Sequence, residues 1–380
     1  MKIKYQVIVV LTILINLSSC RKVENNFSGE IVTIKIPEVF NYSTETWENI
    51  SDLEEVVILE TNSESIIKNI DKIVCDKKRF YILDRNQKTI LIFAKNGKFI
   101  TKINNEGKGS EEYREIRDFD LDEEGNIYLL DYRRIVIFDK TLKFRKYINL
   151  VSNKDDGISF IPLHLTTTVD DEFYLWQGSF GIRDDNFTNK SALFKVSNEG
   201  TIIDNYIPFK YKTVGKQRFF RNYKDDVLIT PIKGNDTIYC ISKSKIYPRY
   251  FIDFGSKGFK NSATSTDDYF SFHTDILESS KYLHFKFRNK EQLFSAFYSK
   301  KSAELKIEEL SFGLKYNLGP LRCVCEETFI SAVEGYIVNY TIDDILKSVE
   351  RKDIYDKLSK LKDFNRENNQ VLFIFRLKGF

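Results

Sequence analysis

The sequence predicts an all-β fold, a six-bladed β-propeller with a short C-terminal helix on the rim, and three observations carry that expectation. Residues 69–103 and 115–148 are near copies: Ile70 aligns with Ile116, Asp84 with Asp131, Phe93 with Phe138 and Lys98-Phe99 with Lys143-Phe144. The offset of roughly 45 to 47 residues is the period of a four-stranded propeller blade. The chain carries 31 Phe and 21 Tyr but only 6 Pro and 1 Met, a composition that favours strands whose side chains fill gaps between sheets. The runs Phe80-Tyr81-Ile82-Leu83 and Ile90-Leu91-Ile92-Phe93 lack polar alternation, so both faces of their sheet must be covered.

Each element follows in order. Residues 31–36 and 56–59 are short apolar runs rich in β-branched side chains, the first halted by Pro37, and both read as strands. The first repeat supplies strands at 70–75, 79–83, 89–93 and 99–103, separated by Asp-, Asn- and Gly-bearing turns. The second repeat has the same layout, with turns at 123–126 and 140–141. Degenerate copies follow at 172–176 with 192–196, at 226–230 with 237–241, at 282–287 with 293–298 and 305–310, and at 328–332. One helix is expected near the end. Thr341 can cap it, Asp343 and Asp344 suit its positive N-terminal dipole, and Ile342, Ile345, Leu346, Val349, Leu358 and Leu361 recur at helical spacing. Its polar face mixes both charge signs, so it should pack on its own domain rather than lie on a membrane. The last strand, 371–377, is expected to pair with an early strand and close the ring, removing unpaired edges.

Bulk properties narrow the function classes. The 58 basic and 55 acidic residues give a net charge of +3, a balance that argues against a nucleic-acid surface. Lys2 and Lys4 precede an apolar run at 7–17 that suits an export signal over residues 1–19 and is too short to span a bilayer. Residues 20–30 read as a polar tether, and 31–380 as one domain. Beyond Cys20, the cysteines Cys75, Cys240, Cys323 and Cys325 are expected mainly as free, buried thiols, with a disulfide between distant partners as the lesser alternative, because Cys323 and Cys325 lie two apart on one strand face near the long limit for bridging.

Two motif sets carry resemblances. Leu17-Ser18-Ser19-Cys20, directly after the apolar run, resembles the lipobox of bacterial lipoproteins, which implies acylation of Cys20 and a membrane partner reached through lipid. The pattern in 119–138, Asp-x-x-Gly-Asn then Ile-Tyr-Leu-Leu-Asp then Ile-Val-Ile-Phe-Asp, resembles the NHL-type propeller repeat. With Leu59-Glu60-Thr61, the Gly-x-Gly-x-x-Glu-Tyr link at 107–113 and the C-terminal Val371-Leu-Phe-Ile-Phe, the chain is similar to six-bladed propeller lipoproteins of bacterial envelopes. That resemblance implies an outer-membrane lipoprotein, on either the periplasmic or the surface face, and implies no particular activity. Relatives tend to carry Pro-Gly where this chain has Ser110-Glu111.

The chemistry-bearing residues form no recognised catalytic set. Asp84 and Asp131 end equivalent strands, but the third and fourth copies place Gln177 and Pro231 there, so the aspartates read as turn residues bonding local backbone. Gly107-Lys108-Gly109-Ser110 lacks the phosphate-loop spacing and a following helix. Cys323-x-Cys325 has no second Cys pair or nearby His, and His164, His273 and His284 sit in no zinc or triad context. No metal and no cofactor is expected, and the histidines read as structural. Arg85, Arg133, Arg134, Trp176 and Gln177, which end or follow candidate inner strands, are expected to form a ligand-facing ring at the channel mouth. Arginine and tryptophan there would suit an anionic or sugar-like ligand.

The expected function is therefore a lipid-anchored, non-enzymatic propeller that binds or scaffolds a protein or glycan in the cell envelope, with no nucleic-acid partner. The alternative is a propeller enzyme, lactonase or glycan lyase in type, with its active site at the channel mouth. A third possibility is a structural assembly subunit. Three or more carboxylate or histidine groups within metal-bonding distance in the channel would favour the enzyme, and an apolar or aromatic surface would favour binding.

Overall fold

Buried runs of β-branched and aromatic residues broken by short polar turns yield 25 strands among the described residues, gathered into six sheets. The computed structural model describes residues 30–38, 50–109, 111–151, 160–168, 172–177, 191–208, 219–222, 226–231, 235–259, 269–290, 292–310 and 318–380. The export signal, Cys20 and most of the tether lie outside them.

Two strands precede the first repeat, β1 (Val32–Lys35) and β2 (Ser51–Ile58). Blade one holds β3 (Lys72–Cys75), β4 (Arg79–Asp84), β5 (Thr89–Ala94) and β6 (Phe99–Ile103). Blade two holds β7 (Asp118–Leu121), β8 (Ile127–Asp131), β9 (Arg134–Phe138) and β10 (Phe144–Asn149). Blade three holds β11 (His164–Thr167), β12 (Phe173–Trp176), β13 (Ser191–Val196) and β14 (Ile202–Pro208). Blade four holds β15 (Phe219–Arg221), β16 (Val227–Ile229), β17 (Thr237–Ser242) and β18 (Lys245–Asp253). Blade five holds β19 (Phe270–Glu278), β20 (Tyr282–Asn289), β21 (Gln292–Ser299) and β22 (Leu305–Glu309). Blade six combines β23 (Leu321–Cys325), β24 (Thr328–Val333) and β25 (Val371–Leu377) with the early strand β2.

Ring closure follows the expected plan. β2 pairs antiparallel with β25, from Ser51 opposite Leu377 to Ile58 opposite Val371. β1 does something the sequence did not indicate: it pairs in parallel with β18, Val32 opposite Tyr250, and adds a fifth strand to the outer edge of blade four.

Strand periodicity explains the apolar runs. Phe80 and Ile82 pack with Ile330, Ala332 and Leu372 of blade six, whereas the alternate residues Tyr81 and Leu83 pack with Phe119, Leu129 and Phe138 of blade two. In blade two the same division sends Ile127 and Leu129 toward blade one and Tyr128 and Leu130 toward Leu165, Phe173 and Leu175 of blade three. Successive side chains point to opposite faces, and each face meets a neighbouring blade.

Repeated polar residues hold the linkers. The buried Asp84 carboxylate accepts the backbone N–H groups of Lys68 and Asn69 at 2.7 and 3.1 Å and the Gln87 side-chain amide at 2.7 Å. Asp131 accepts the backbone N–H groups of Arg114 and Glu115, each at 3.3 Å. Gln177 does the same work in blade three, its Oε1 accepting the Ile161 N–H at 2.9 Å. Each clamps the chain entering its blade, a reach of 15 to 17 residues that goes beyond the local turn bonding expected of Asp84 and Asp131.

The C-terminal helix also departs from expectation at its start. α1 spans Gly335–Ser348, and Thr341 sits inside it with Oγ1 donating to the Ile337 carbonyl at 2.8 Å instead of capping. Gly335 permits the early start, since a Cβ there would lie 2.2 Å from the Asn368 carbonyl oxygen. α2 (Lys352–Leu358) and a 3-10 turn at Ser359–Leu361 follow. Val338, Ile342, Ile345, Leu358 and Leu361 pack with Leu53, Phe373 and Phe375, which seats the helices on blade six. No helix among the described residues is long and apolar enough to cross a membrane.

The cysteines require a correction. Cys240 and Cys323 are free and buried, but Cys75 and Cys325 form a disulfide, with Cα atoms 6.0 Å apart and 250 residues between them in the chain. They end the inner strands of the first and last blades, so ring closure brings together two thiols whose spacing gives no hint of contact.

Two outcomes follow for stability. Asp84→Ala strands two backbone N–H groups and should lower unfolding free energy by about 2–4 kcal/mol in urea titrations, with a smaller loss for Asp84→Asn, whose amide oxygen still accepts. Replacing both Cys75 and Cys325 by Ser releases a very long loop and should cost about 2–5 kcal/mol, read as a lower denaturation midpoint under oxidising conditions only.

Candidate functional site

The inner strands of the six blades enclose a channel of about 770 Å³. Those of blades one to three are four residues long and each begins with a polar residue: Lys72, Asp118 and His164. Lys72 and Asp118 are 46 residues apart, and His164 follows at the same interval, so the three occupy one register position in successive blades.

They form a continuous polar chain. Lys72 Nζ donates to Asp118 Oδ1 at 2.9 Å and to the Phe119 carbonyl at 2.7 Å. Asp118 Oδ2 accepts the Leu165 N–H at 3.0 Å and lies 3.4 Å from His164 Nδ1. Two residues further along the strands, Asp120 Oδ2 accepts from Thr166 Oγ1 at 2.6 Å and from the Thr167 N–H at 3.2 Å.

The electrostatics follow from burial and proximity. Burial alone would raise the Asp118 pKa, but the Lys72 ammonium and the His164 ring outweigh it and hold the carboxyl well below the usual carboxylate range. For His164 burial dominates and lowers the pKa; Asp118 pulls it up, and Arg85 and Lys72 push it down again. The imidazole is therefore largely neutral at pH 7.

Arg85 follows β4 and reaches the same end of the channel. Its backbone N–H donates to Asp71 Oδ2 at 2.9 Å, but the guanidinium comes only within 3.9 Å of Asp71 Oδ1. Its Nε is buried without a hydrogen-bond partner, while the side chain as a whole keeps 35 % of its surface exposed. Across the channel, blades four to six contribute the apolar Phe219, Phe220, Val227, Leu277 and Leu321 together with Asn222, Asp275 and Arg322. The wall there mixes apolar and charged groups.

Of the five residues expected to form a ring, Arg85 lines this channel and the other four do not. Arg133 is exposed, with its guanidinium 5.7 Å from the Tyr132 ring. Arg134 donates to Asp131 at 2.7 Å and to the Glu112 carbonyl at 2.6 Å, bracing the linker. Trp176 and Gln177 are buried at 1 % and 2 % exposure. Position at a strand end does not decide the matter, since Arg85 follows the second strand of its blade as Gln177 does; Arg134 and Gln177 are engaged by their linkers and Trp176 by the blade interior. Lys72, Asp118 and His164 were not singled out as a group, although their shared interval at the start of apolar strands is a signal the sequence carries. His284 is buried in β20, whereas His273 lies in β19 with its side chain outside the described set. Among the described residues, no three His, Cys, Asp or Glu side chains are placed to hold a metal ion.

Comparison with known proteins agrees with this architecture. The family model for a domain of unknown function, DUF4934, matches residues 32–376. A predicted exported protein of Bacteroides fragilis has a similar structure, with a TM-score of 0.72 at 16 % identity, covering 92 % of this chain and all of that one. A DUF4221 family member from Bacteroides vulgatus is similar at a TM-score of 0.50 and 12 % identity, covering 87 % of this chain and 98 % of that one. At these identities the likeness is one of fold. No curated protein matches the chain.

The buried histidines set a pH dependence. His284 packs on Phe297 with Nε2 2.8 Å from Ser295 Oγ, and burial pushes its pKa down to about 3. His164 is lowered in the same direction. Below the ordinary histidine pKa the unfolded chain takes up protons that the folded chain refuses, so stability is full above that value and falls as pH drops. Urea midpoints should record a loss of about 2–3 kcal/mol from His284 between pH of about 6.5 and 4.5. His284→Phe should flatten that slope.

Proposed function

This chain belongs to the DUF4934 family, and from that premise we propose that it is a binding propeller of the bacterial cell envelope, held at the outer membrane through Cys20, that takes an anionic group of a protein or glycan into its channel. The observation that carries the binding reading is Arg85: a guanidinium in the channel wall, on a side chain 35 % exposed, whose ion-pair contact to Asp71 is a long 3.9 Å. An arginine so placed is ready for a carboxylate or phosphate, with which it makes short, paired hydrogen bonds. On the opposite wall, the apolar Phe219 and Phe220 suit the non-polar face of a sugar ring or an apolar side chain on the same ligand. The envelope address rests on the export signal and the Leu17–Cys20 pattern.

A second reading, lactonase- or lyase-like catalysis at the same channel mouth, is favoured by His164 alone. A neutral imidazole with Nδ1 turned toward Asp118 and the ring on the channel wall has the arrangement of a general base beside a cation.

Isothermal titration of residues 21–380 against uronic-acid oligosaccharides and acidic peptides tests both. Arg85→Ala should weaken binding at least about tenfold, and His164→Gln should leave affinity within a few-fold. Affinity indifferent to Arg85→Ala counts against the binding reading, and turnover lost in His164→Gln with binding retained would establish the catalytic one.

A further inference from the structure

The opposite end of the channel carries chemistry that an anion at Arg85 does not use. Cys75 and Cys325 close inner strands β3 and β23 and are bonded across the seam between the first and last blades. Both line the channel, as does the free thiol of Cys323.

The two sulfurs of the disulfide stand in different surroundings. Cys75 is half-buried on the channel wall, with Sγ 3.8 Å from the Val324 carbonyl. Cys325 is 8 % exposed, and the Lys95 ammonium donates to its Sγ at 2.8 Å. Lys95 is itself half-buried, lies 4.3 Å from the centre of the Phe80 ring, and has no carboxylate within ion-pair distance among the described residues. Burial lowers its pKa, as expected for a cation removed from water. A disulfide sulfur is a weak acceptor, so this ammonium gains little from the oxidised bond. It would gain far more from a thiolate in the same place.

We propose that Cys75–Cys325 is a thiol–disulfide exchange site open to small thiols entering the channel, with Cys75 as the sulfur attacked and Cys325 as the leaving thiolate held by Lys95. The incoming thiolate forms a new S–S bond to Cys75 Sγ. The Cys75–Cys325 bond breaks, its electron pair passes to Cys325 Sγ, and the negative charge moves from the small thiol to a sulfur already facing an ammonium. No oxidant or reductant beyond the thiol enters this step. Leaving-group stabilisation of this kind accelerates exchange. Cys323 takes no part: burial pushes its thiol up to about 12 despite the nearby Lys95, which keeps it protonated.

Incubating the folded, oxidised protein with glutathione at mildly alkaline pH, followed by intact mass and peptide mapping, tests the assignment. The expected result is one glutathione adduct, on Cys75, formed without denaturant. Lys95→Gln should slow it about tenfold, Lys95→Arg should keep most of the rate, and Cys323→Ala should leave it unchanged. An adduct first on Cys325, a rate insensitive to Lys95→Gln, or reaction only in denaturant would each overturn the proposal. The Lys95→Arg rate and the adduct position in the unaltered protein keep it decidable should Lys95→Gln fold poorly.

Discussion

Pairing of β2 with β25 is the constraint on which the rest of the molecule depends. A propeller blade is apolar on both faces, and Phe80, Tyr81, Ile82 and Leu83 are all buried only because a neighbour stands on either side. An open row of six blades would leave two such faces and two inner-strand edges in water. By contributing β2 to the last blade, the start of the domain makes that row a ring. The disulfide between Cys75 and Cys325 then ties the same seam on the channel side, and the C-terminal helices pack on the other face of the last blade, toward blade five.

Closure also creates the channel. Six inner strands brought around one axis place residues from distant parts of the sequence on a common wall, and their register decides which side chains meet. Lys72, Asp118 and His164 show how a repeat can be put to use: one backbone position, copied three times, holds a cation, an anion and an imidazole that satisfy one another across blade boundaries. The charges compensate within the wall, so Asp118 and Lys72 can be buried at tolerable cost. Arg85 stands beside this chain with only a 3.9 Å contact to Asp71 Oδ1 for its guanidinium. The two ends of the channel are thus chemically unlike, one carrying Lys72, Asp118, His164 and Arg85 and the other the Cys75–Cys325 disulfide.

Much of the fold was legible in the sequence. The repeat interval, the unbroken apolar runs and the turn residues pointed to six blades, to the strands of the first two and to the closing strand, because each reflects local backbone preference and two-sided burial; β11, β14, β15, β18 and β19 of the degenerate blades were not located. The turn position of Asp84 and Asp131 was legible too, but their bonds to the incoming linker, 15 to 17 residues back in the chain, were not. The helix start was misplaced because Gly335 opens α1 through a close approach to Asn368, a contact made only once the last blade is assembled.

The candidate site was the part least open to sequence reasoning. Arg133, Arg134, Trp176 and Gln177 were reasonable by position in the repeat, yet Arg134 and Gln177 bond their linkers, Trp176 is buried and Arg133 is exposed away from the channel lining. By itself the sequence determined a repeating, aromatic-rich β architecture with an N-terminal pattern of export, since periodicity and composition act locally and survive in one dimension. Only the tertiary structure decided that Lys72, Asp118 and His164 meet, that Arg85 faces the cavity and that Cys75 joins Cys325. Those contacts are set by ring closure and by the register of strands 46 to 250 residues apart, and no local preference encodes them.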